Sequence, residues 1–318
     1  MRLSTQKRTA KKSKAVVLIG PTAVGKTALT ETLFASSAEI INADSVQVYR
    51  YLDIGSAKPD EKLRSLIPHH LVDIKDPWEQ YTAGDFARDA ASLIPEIEER
   101  GKIPLITGGT GYYIRQLVYG PSSAPAADER IRDEVRTEVE EKGKEWAYSY
   151  LREIDPVSYG RISENDLYRI TRAIEVYRSS GRPLSSFPLS SEPCDDFVLI
   201  CLVRERNELV ERIKLRVDEM FRMGLYEEIR KLFRMGASSE WPAMQAIGYK
   251  EFIEAAESGE ASIETIKEEI IRSTVKYAKR QMTFFRSFSS CRFFHPDDLD
   301  GIASYLSFQG VCADNLCS

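Results

Sequence analysis

Short apolar runs bounded by turn residues recur along this chain, each about the length of one buried strand. They fall at residues 15–19, 39–43, 71–74, 103–107 and 197–202, too short for helices and suited to strands covered on both faces. Between several of them the apolar positions follow helical spacing instead, as over residues 86–100. Strands alternating with helices predict a parallel sheet with crossover helices. From about residue 121 the pattern changes. Pro121-Ser122-Ser123-Ala124-Pro125-Ala126-Ala127 has the composition of a linker, and a highly charged, strand-poor helical stretch follows to about Arg182. A second loose segment, 183–193, leads back to the strand beginning at Phe197, and the remainder has helical spacing. The expectation is an α/β core of residues 15–120 and 197–290 carrying an inserted helical domain, 121–196. Residues 1–14 are expected to form a basic flexible tail and 291–318 a separate C-terminal segment.

The first apolar run feeds directly into Gly20-Pro21-Thr22-Ala23-Val24-Gly25-Lys26-Thr27. This fits the pattern G-x-x-x-x-G-K-[ST], and the residues after it are predicted to start a helix. In that context the motif has a mechanism: glycines let backbone N–H groups close around phosphate oxygens at a helix N-terminus. Lys26 adds a cation and the Thr27 hydroxyl can hold Mg²⁺. The chain is therefore expected to bind a diphosphate or polyphosphate. The motif alone does not say which.

Other candidates are weaker one by one. Asp44 follows the second predicted strand, where a carboxylate can be a metal ligand, a general base, or only the acceptor of an Asx turn. Gly108-Gly109-Thr110-Gly111 follows another strand; its glycines allow close approach of a ligand, or mark an ordinary turn. Arg212, Lys214, Arg216 and Arg222 share a stretch with Glu211, Asp218 and Glu219, for which a salt-bridged solvated face is the default. From Arg272 to Arg292 six basic residues interleave with Tyr277, Phe284, Phe285 and Phe288, with no acid. That pattern suits nucleic-acid phosphates and equally a helix with an apolar inner face. His69, His70 and His295 lack ligand spacing, so structural roles are expected of them.

Composition narrows the class. The 318 residues are 42% hydrophobic and 29% charged with a formal net charge of −5, which fits a globular protein and argues against one that coats nucleic acid generally. No apolar run approaches the ~20 residues a bilayer needs, so no membrane association is expected. The basic N-terminus precedes an apolar run too short for a secretory signal; a flexible tail is preferred to an organellar transit peptide. Five scattered cysteines suit a reducing, cytoplasmic location without a disulfide framework or cysteine metal site.

Taken together, these segments resemble the tRNA dimethylallyltransferase family, also called tRNA isopentenyltransferases. The resemblance covers roughly residues 15 to 290. It is carried by the phosphate loop, by Asn42-Ala43-Asp44-Ser45-Val46-Gln47-Val48-Tyr49, Asp53-Ile54-Gly55-Ser56-Ala57-Lys58-Pro59 and His69-His70-Leu71-Val72-Asp73-Ile74. Gly108-Gly109-Thr110-Gly111, Arg212-Ile213-Lys214-Leu215-Arg216-Val217-Asp218, Gln245-Ala246-Ile247-Gly248-Tyr249 and Tyr277-Ala278-Lys279-Arg280-Gln281 complete it. It implies a P-loop NTPase-like core with a parallel sheet, flanking helices and an inserted all-helical domain. The activity implied is transfer of a dimethylallyl group from dimethylallyl diphosphate to N6 of the adenosine next to the anticodon in tRNA. By similarity Asp44 is the base, Thr110 hydrogen-bonds the leaving oxygen, and Arg216 with the loop residues Gly20 to Thr27 neutralises the diphosphate. Thr27 would hold Mg²⁺. The tRNA-contacting positions map onto Asp44, Ser45, Val46, Gln47, Thr110, Arg132, Tyr168, Arg169, Ile170, Thr171 and Arg172, with the protein acting as a monomer.

Two departures are plain. Family members commonly carry Asn-Asp-Pro-Gln-Arg where this chain has Asn165-Asp166-Leu167-Tyr168-Arg169, so the contact of that Gln is lost. No Cys-His zinc-finger pattern follows residue 290, which points to the bacterial type. The rival readings are a P-loop small-molecule kinase, an adenylate isopentenyltransferase acting on free nucleotide, and a noncatalytic nucleotide-dependent RNA-binding protein.

Overall fold

The computed structural model describes residues 14–125, 128–187, 192–259 and 262–314; the N-terminal basic tail, 1–13, lies outside them. In chain order the elements begin with β1 Ala15–Ile19, α1 Lys26–Phe34, β2 Ala38–Asn42, α2 Glu61–Leu66, β3 His69–His70, α3 Ala83–Glu99, β4 Ile103–Gly108 and α4 Gly111–Val118. Helices α5 Glu129–Lys142, α6 Lys144–Ile154, α7 Pro156–Tyr159 and α8 Leu167–Ser180 follow. The chain then returns through β5 Phe197–Leu202, α9 Arg206–Arg222, α10 Leu225–Arg234, α11 Lys250–Ser258, α12 Ile263–Phe285, β6 Arg292–Phe294 and α13 Leu299–Phe308.

The chain divides into two compact units, one of Met1–Val118 with Glu192–Ser318 and one of Tyr119–Ser191. In the large unit six strands form one sheet in the order β3-β2-β4-β1-β5-β6, with every pairing parallel. β1 lies in the middle, and all five of its residues are buried, which is why its sequence is an unbroken apolar run. Helix residues Leu29, Phe34, Ile302 and Leu306 pack with Val16, Leu18 and Ile200 in one core cluster. Because the strands are parallel, the carboxyl ends of β1, β2 and β4 share one edge, where ligands of such sheets bind. Residues 20–25, 43–47 and 109–110 lie just beyond those strand ends.

Three expectations change. The run 71–74 is not a strand: the pairing to β2 is made by His69–His70, and the chain then turns through Leu71 and Asp73 at positive φ. That turn aims the Asp73 carboxylate at Lys58 and Arg64, at 2.6 and 2.8 Å. Residues 291–318 are not a separate segment either, since β6 extends the sheet beside β5 and α13 supplies Ile302 and Leu306 to the core. Finally, Cys312 is disulfide-bonded, while Cys194, Cys201 and Cys291 are free.

The small unit has its own core, in which Ile131, Val135, Ala147, Leu151, Ile170, Ala173 and Ile174 come together. Asp128 and Asp166 cap α5 and α8 through hydrogen bonds to backbone N–H groups, which accounts for helix starts at these points in a highly charged stretch. Among the described residues no helix is long and apolar enough to cross a membrane.

Candidate active site

The phosphate loop leaves the end of β1 and enters α1 through Gly25, whose φ of 114° is a left-handed conformation that favours glycine. Its outer carbonyls are occupied. Arg204 Nε donates to the Val24 carbonyl at 2.8 Å and Arg212 Nε to the Ala23 carbonyl at 2.8 Å. Val24 itself is wholly buried and belongs to the core cluster. Lys26 Nζ donates to the carbonyls of Gly20 and Pro21, at 2.8 and 3.0 Å. The lysine expected to add a cation is thus held under its own loop. The exposed Thr27 hydroxyl makes no hydrogen bond among the described residues, unlike those of Thr30 and Thr32, which bond the carbonyls of Lys26 and Ala28.

Asp44 stands at the end of β2. Its Oδ1 accepts from the backbone of Val46 at 2.9 Å and, at 3.4 Å, of Gln47, so the Asx turn that composition alone suggests is real. Its second oxygen takes no hydrogen bond among the described residues. Thr110 holds this turn to the loop after β4: its hydroxyl accepts from Ser45 N–H at 2.9 Å and donates to Ser45 Oγ at 3.1 Å. The glycines around Thr110 answer to the protein, not to a ligand. A Cβ on Gly109 would lie 2.4 Å from Gln281 Nε2, and one on Gly111 2.4 Å from the Phe284 ring.

Both of those neighbours come from α12. Gln281 accepts from Thr22 N–H at 3.0 Å and donates to the Gly109 carbonyl at 2.8 Å. One turn earlier, the Tyr277 hydroxyl donates to the Gly109 carbonyl at 3.5 Å. Burial, with the nearby Asp44 charge adding, pushes its phenol up to about 12. In the sequence Tyr277 is marked as one of the aromatics interleaved with basic residues, and Gln281 only by the segment Tyr277-Ala278-Lys279-Arg280-Gln281.

Lys26, Arg216 and Asp44 form the electrostatic centre. Burial and then the neighbouring Arg216 lower the Lys26 ammonium to about 8, against weaker support from Asp44 and Cys201. Burial likewise lowers Arg216, with Asp44 opposing, and Arg216 makes no hydrogen bond or ion pair among the described residues. Two cations crowded together beside one carboxylate make a site short of negative charge. Its neighbours on α9 divide as their surroundings dictate: Lys214 and Arg222 pair with Glu211 and Glu219 at 2.7 and 2.6 Å, whereas Arg212 and Arg216 serve the loop and the site.

Other singled-out residues have structural partners. Gln47 spends its amide hydrogens on the carbonyls of Ser56 and Ala57. The backbone of Asp53, Ile54 and Gly55 grips the Glu228 carboxylate, which also accepts from the Tyr249 hydroxyl. His69 and His70 contact the Ile67 carbonyl and Glu39, and His295 lies by Glu208 and Asp297. No group of three or more His, Cys, Asp or Glu among the described residues could hold a metal ion.

In the small unit, Tyr168 is 82% exposed on α8 and Arg169 pairs with Asp166 at 3.3 Å. Thr171 donates to the Tyr168 carbonyl. Arg132 and Arg172 converge on Glu175 at 3.9 and 3.3 Å. Ile170 is fully buried in the unit's core and offers no surface to a ligand.

A glycine-rich anion loop, two converging cations and a carboxylate at the open edge of a parallel sheet define a phosphate-loop protein that handles a phosphorylated substrate. Residues 47–288 match the family model for IPP transferase. The chain is 46% identical to "tRNA dimethylallyltransferase 2" of Geotalea daltonii, over 86% of this chain and 85% of that protein. It is 42% identical to the tRNA dimethylallyltransferase of Geobacter sulfurreducens, over 92% and 96%. Among solved structures, the tRNA isopentenylpyrophosphate transferase of Bacillus halodurans aligns with a TM-score of 0.66 at 35% identity, covering 94% of this chain and 98% of that one. A eukaryotic dimethylallyltransferase acting on tRNA aligns with a TM-score of 0.74 at 26% identity, covering 94% and 77%. This chain belongs to the IPP transferase family.

Proposed function

We propose that this protein transfers a dimethylallyl group from dimethylallyl diphosphate to the exocyclic N6 of the adenosine adjacent to the anticodon in tRNA. The observation that carries this reading is the convergence of Lys26, Arg216 and Asp44 beside the phosphate loop. The N6 nitrogen forms a bond to C1 of the dimethylallyl group as the C1–oxygen bond breaks. Diphosphate leaves with the electron pair, and the N6 proton passes to Asp44. Loop amides, Lys26 and Arg216 neutralise the charge growing on the leaving oxygens, and the Thr110 hydroxyl turns its hydrogen from Ser45 Oγ to the bridging oxygen when substrate is bound. Mg²⁺ suits the exposed Thr27 hydroxyl, which has no competing bond, because that ion keeps most of its waters and takes few protein oxygens; when bound it supplies further charge neutralisation on the diphosphate.

The acceptor amine is buried in a stacked anticodon loop, so the base must be turned out to reach Asp44. On α12, Lys276, Lys279 and Arg280 are exposed on the helix whose other side carries Gln281. They support a polyanionic acceptor over free nucleotide; in this reading Arg132, Arg169 and Arg172 turn from Glu175 and Asp166 to tRNA phosphates. The protein acts as a cytoplasmic monomer in this reading. The test is incubation with labelled dimethylallyl diphosphate and unmodified tRNA, AMP or no acceptor. Label in tRNA with release of intact diphosphate is expected. Label in AMP, or no transfer with turnover of ATP, would replace this reading with one of its rivals.

A further inference from the structure

We propose that Gln281 is a positioning residue for this transfer, holding the diphosphate loop at a set distance from the base Asp44. The inference rests on the function proposed above. Gln281 lies on the inner face of α12 and is 6% exposed. A buried carboxamide is costly unless both ends are bonded, and here each end takes a different loop: Oε1 the Thr22 N–H at 3.0 Å, Nε2 the Gly109 carbonyl at 2.8 Å.

The connection continues. Gly109 is followed by Thr110, whose hydroxyl accepts from Ser45 N–H at 2.9 Å, and Ser45 adjoins Asp44. Two side chains therefore join the phosphate loop to the candidate base. The sheet itself cannot provide this link. β1 and β4 are in register only as far as Ile19 and Gly108; Thr22 and Gly109 lie beyond the last paired residues. Gly109 keeps the site open for the amide, since a Cβ there would meet Nε2 at 2.4 Å. Tyr277, whose hydroxyl donates to the Gly109 carbonyl at 3.5 Å, braces the same loop from one turn away.

The experiment compares Gln281→Leu, Gly109→Ala and the double variant in the full-length protein. Steady-state transfer, binding of inorganic diphosphate, binding of tRNA and thermal melting are measured for each. Misplacing a reacting group by about 1 Å costs on the order of 10² in rate. We expect kcat to fall by about that factor in either single variant, with both dissociation constants within roughly threefold of wild type, a bound set by that difference between a lost contact and a displaced one. The pH profile of kcat should keep its midpoint, since Asp44 is still the base. Both changes break one connection, so the double variant should lose no more than the worse single one. Gly109→Ala removes no polar group, and it carries the test if Gln281→Leu does not fold. Wild-type kcat in a folded variant, multiplying losses in the double variant, or loss of diphosphate affinity equal to the loss of kcat would overturn the assignment. If the wild-type protein transfers no dimethylallyl group, the proposed function falls first and this inference with it.

Discussion

Asp44 illustrates how one carboxylate serves shape and chemistry at once. Its Oδ1 closes the turn through Val46 N–H, which leaves the other oxygen for a proton. Asp44→Asn retains the accepting Oδ1, so the turn survives and only the basicity is lost. Transfer should fall by roughly 10²–10⁴ with diphosphate binding close to wild type; wild-type turnover would remove Asp44 from the reaction. Lys26 makes a different prediction because its ammonium is lowered from 10.5 to about 8. Diphosphate is held by the protonated form, so affinity should decline as pH rises through about 8. Isothermal titration from pH 7 upward checks this, and Lys26→Met should lose that part of the pH dependence. The folded protein also binds this proton less tightly than the unfolded chain, so Lys26 makes stability rise with pH between about 8 and 10.5.

Strand β2 owes its placement to a charge as well as to apolar burial. Glu39, buried on this strand, receives two hydrogen bonds of 2.8 Å from Arg100, and His70 lies 2.7 Å away. The Arg100 bonds outweigh desolvation and hold the carboxyl at about 2 instead of 4.5. A depressed carboxyl contributes stability above its unfolded value and loses it as protons bind. Melting temperature should therefore drop between about pH 4.5 and 2, and Glu39→Gln should be less stable at pH 7 with that part of the acid transition missing. An unchanged acid transition in Glu39→Gln would show that other carboxylates dominate. The same region marks where pattern alone fell short. Leu71-Val72-Asp73-Ile74 looks like a strand, yet two of its residues take positive φ so that Asp73 can reach Lys58 and Arg64. β6 escaped notice because three residues carry too little periodicity to register, and their pairing to β5 is decided from 92 residues away at Ile200 and Arg292 (292 − 200).

For the molecule as a whole, the small unit supplies the surface proposed to grip tRNA, and its arginines are not equivalent. Arg172 and Arg132 flank Glu175, which is 6% exposed. Removing Arg172 strips a buried carboxylate of a partner, so Arg172→Ala should lower the melting temperature as well as tRNA affinity. Arg169→Ala should spare the fold, weaken tRNA binding and flatten the log K versus log[salt] slope by about 0.7 to 0.9 for the lost phosphate contact. Tyr168 stands 82% exposed where a ring can stack on a base. Tyr168→Phe should then be nearly silent and Tyr168→Ala cost ~1–3 kcal/mol of tRNA binding, read from binding isotherms at fixed salt. Equal losses would point to the hydroxyl, and none at all would remove Tyr168 from the interface.

Several features were legible in the sequence because they are local. The length of an apolar run sets a strand, and Gly25-Lys26-Thr27 after β1 sets an anion loop, since both follow from backbone conformation over a few residues. Long-range partners were not legible. The sequence offers Gly109 as a place for a ligand to approach; in the folded protein Gln281, 172 positions away, fills that space. Arg212 reads as a member of a mixed-charge stretch and Arg204 carries no signal of its own, yet they secure Ala23 and Val24 across 189 and 180 residues. Ile170 sits in a segment marked for tRNA and belongs to the core, because α8 turns every third or fourth residue inward and Ile170 shares that face with Ala173 and Ile174. Hydrogen bonds and burial between distant segments exist only once the chain has packed, so the tertiary structure alone decided which polar side chains face the site and which hold it in place.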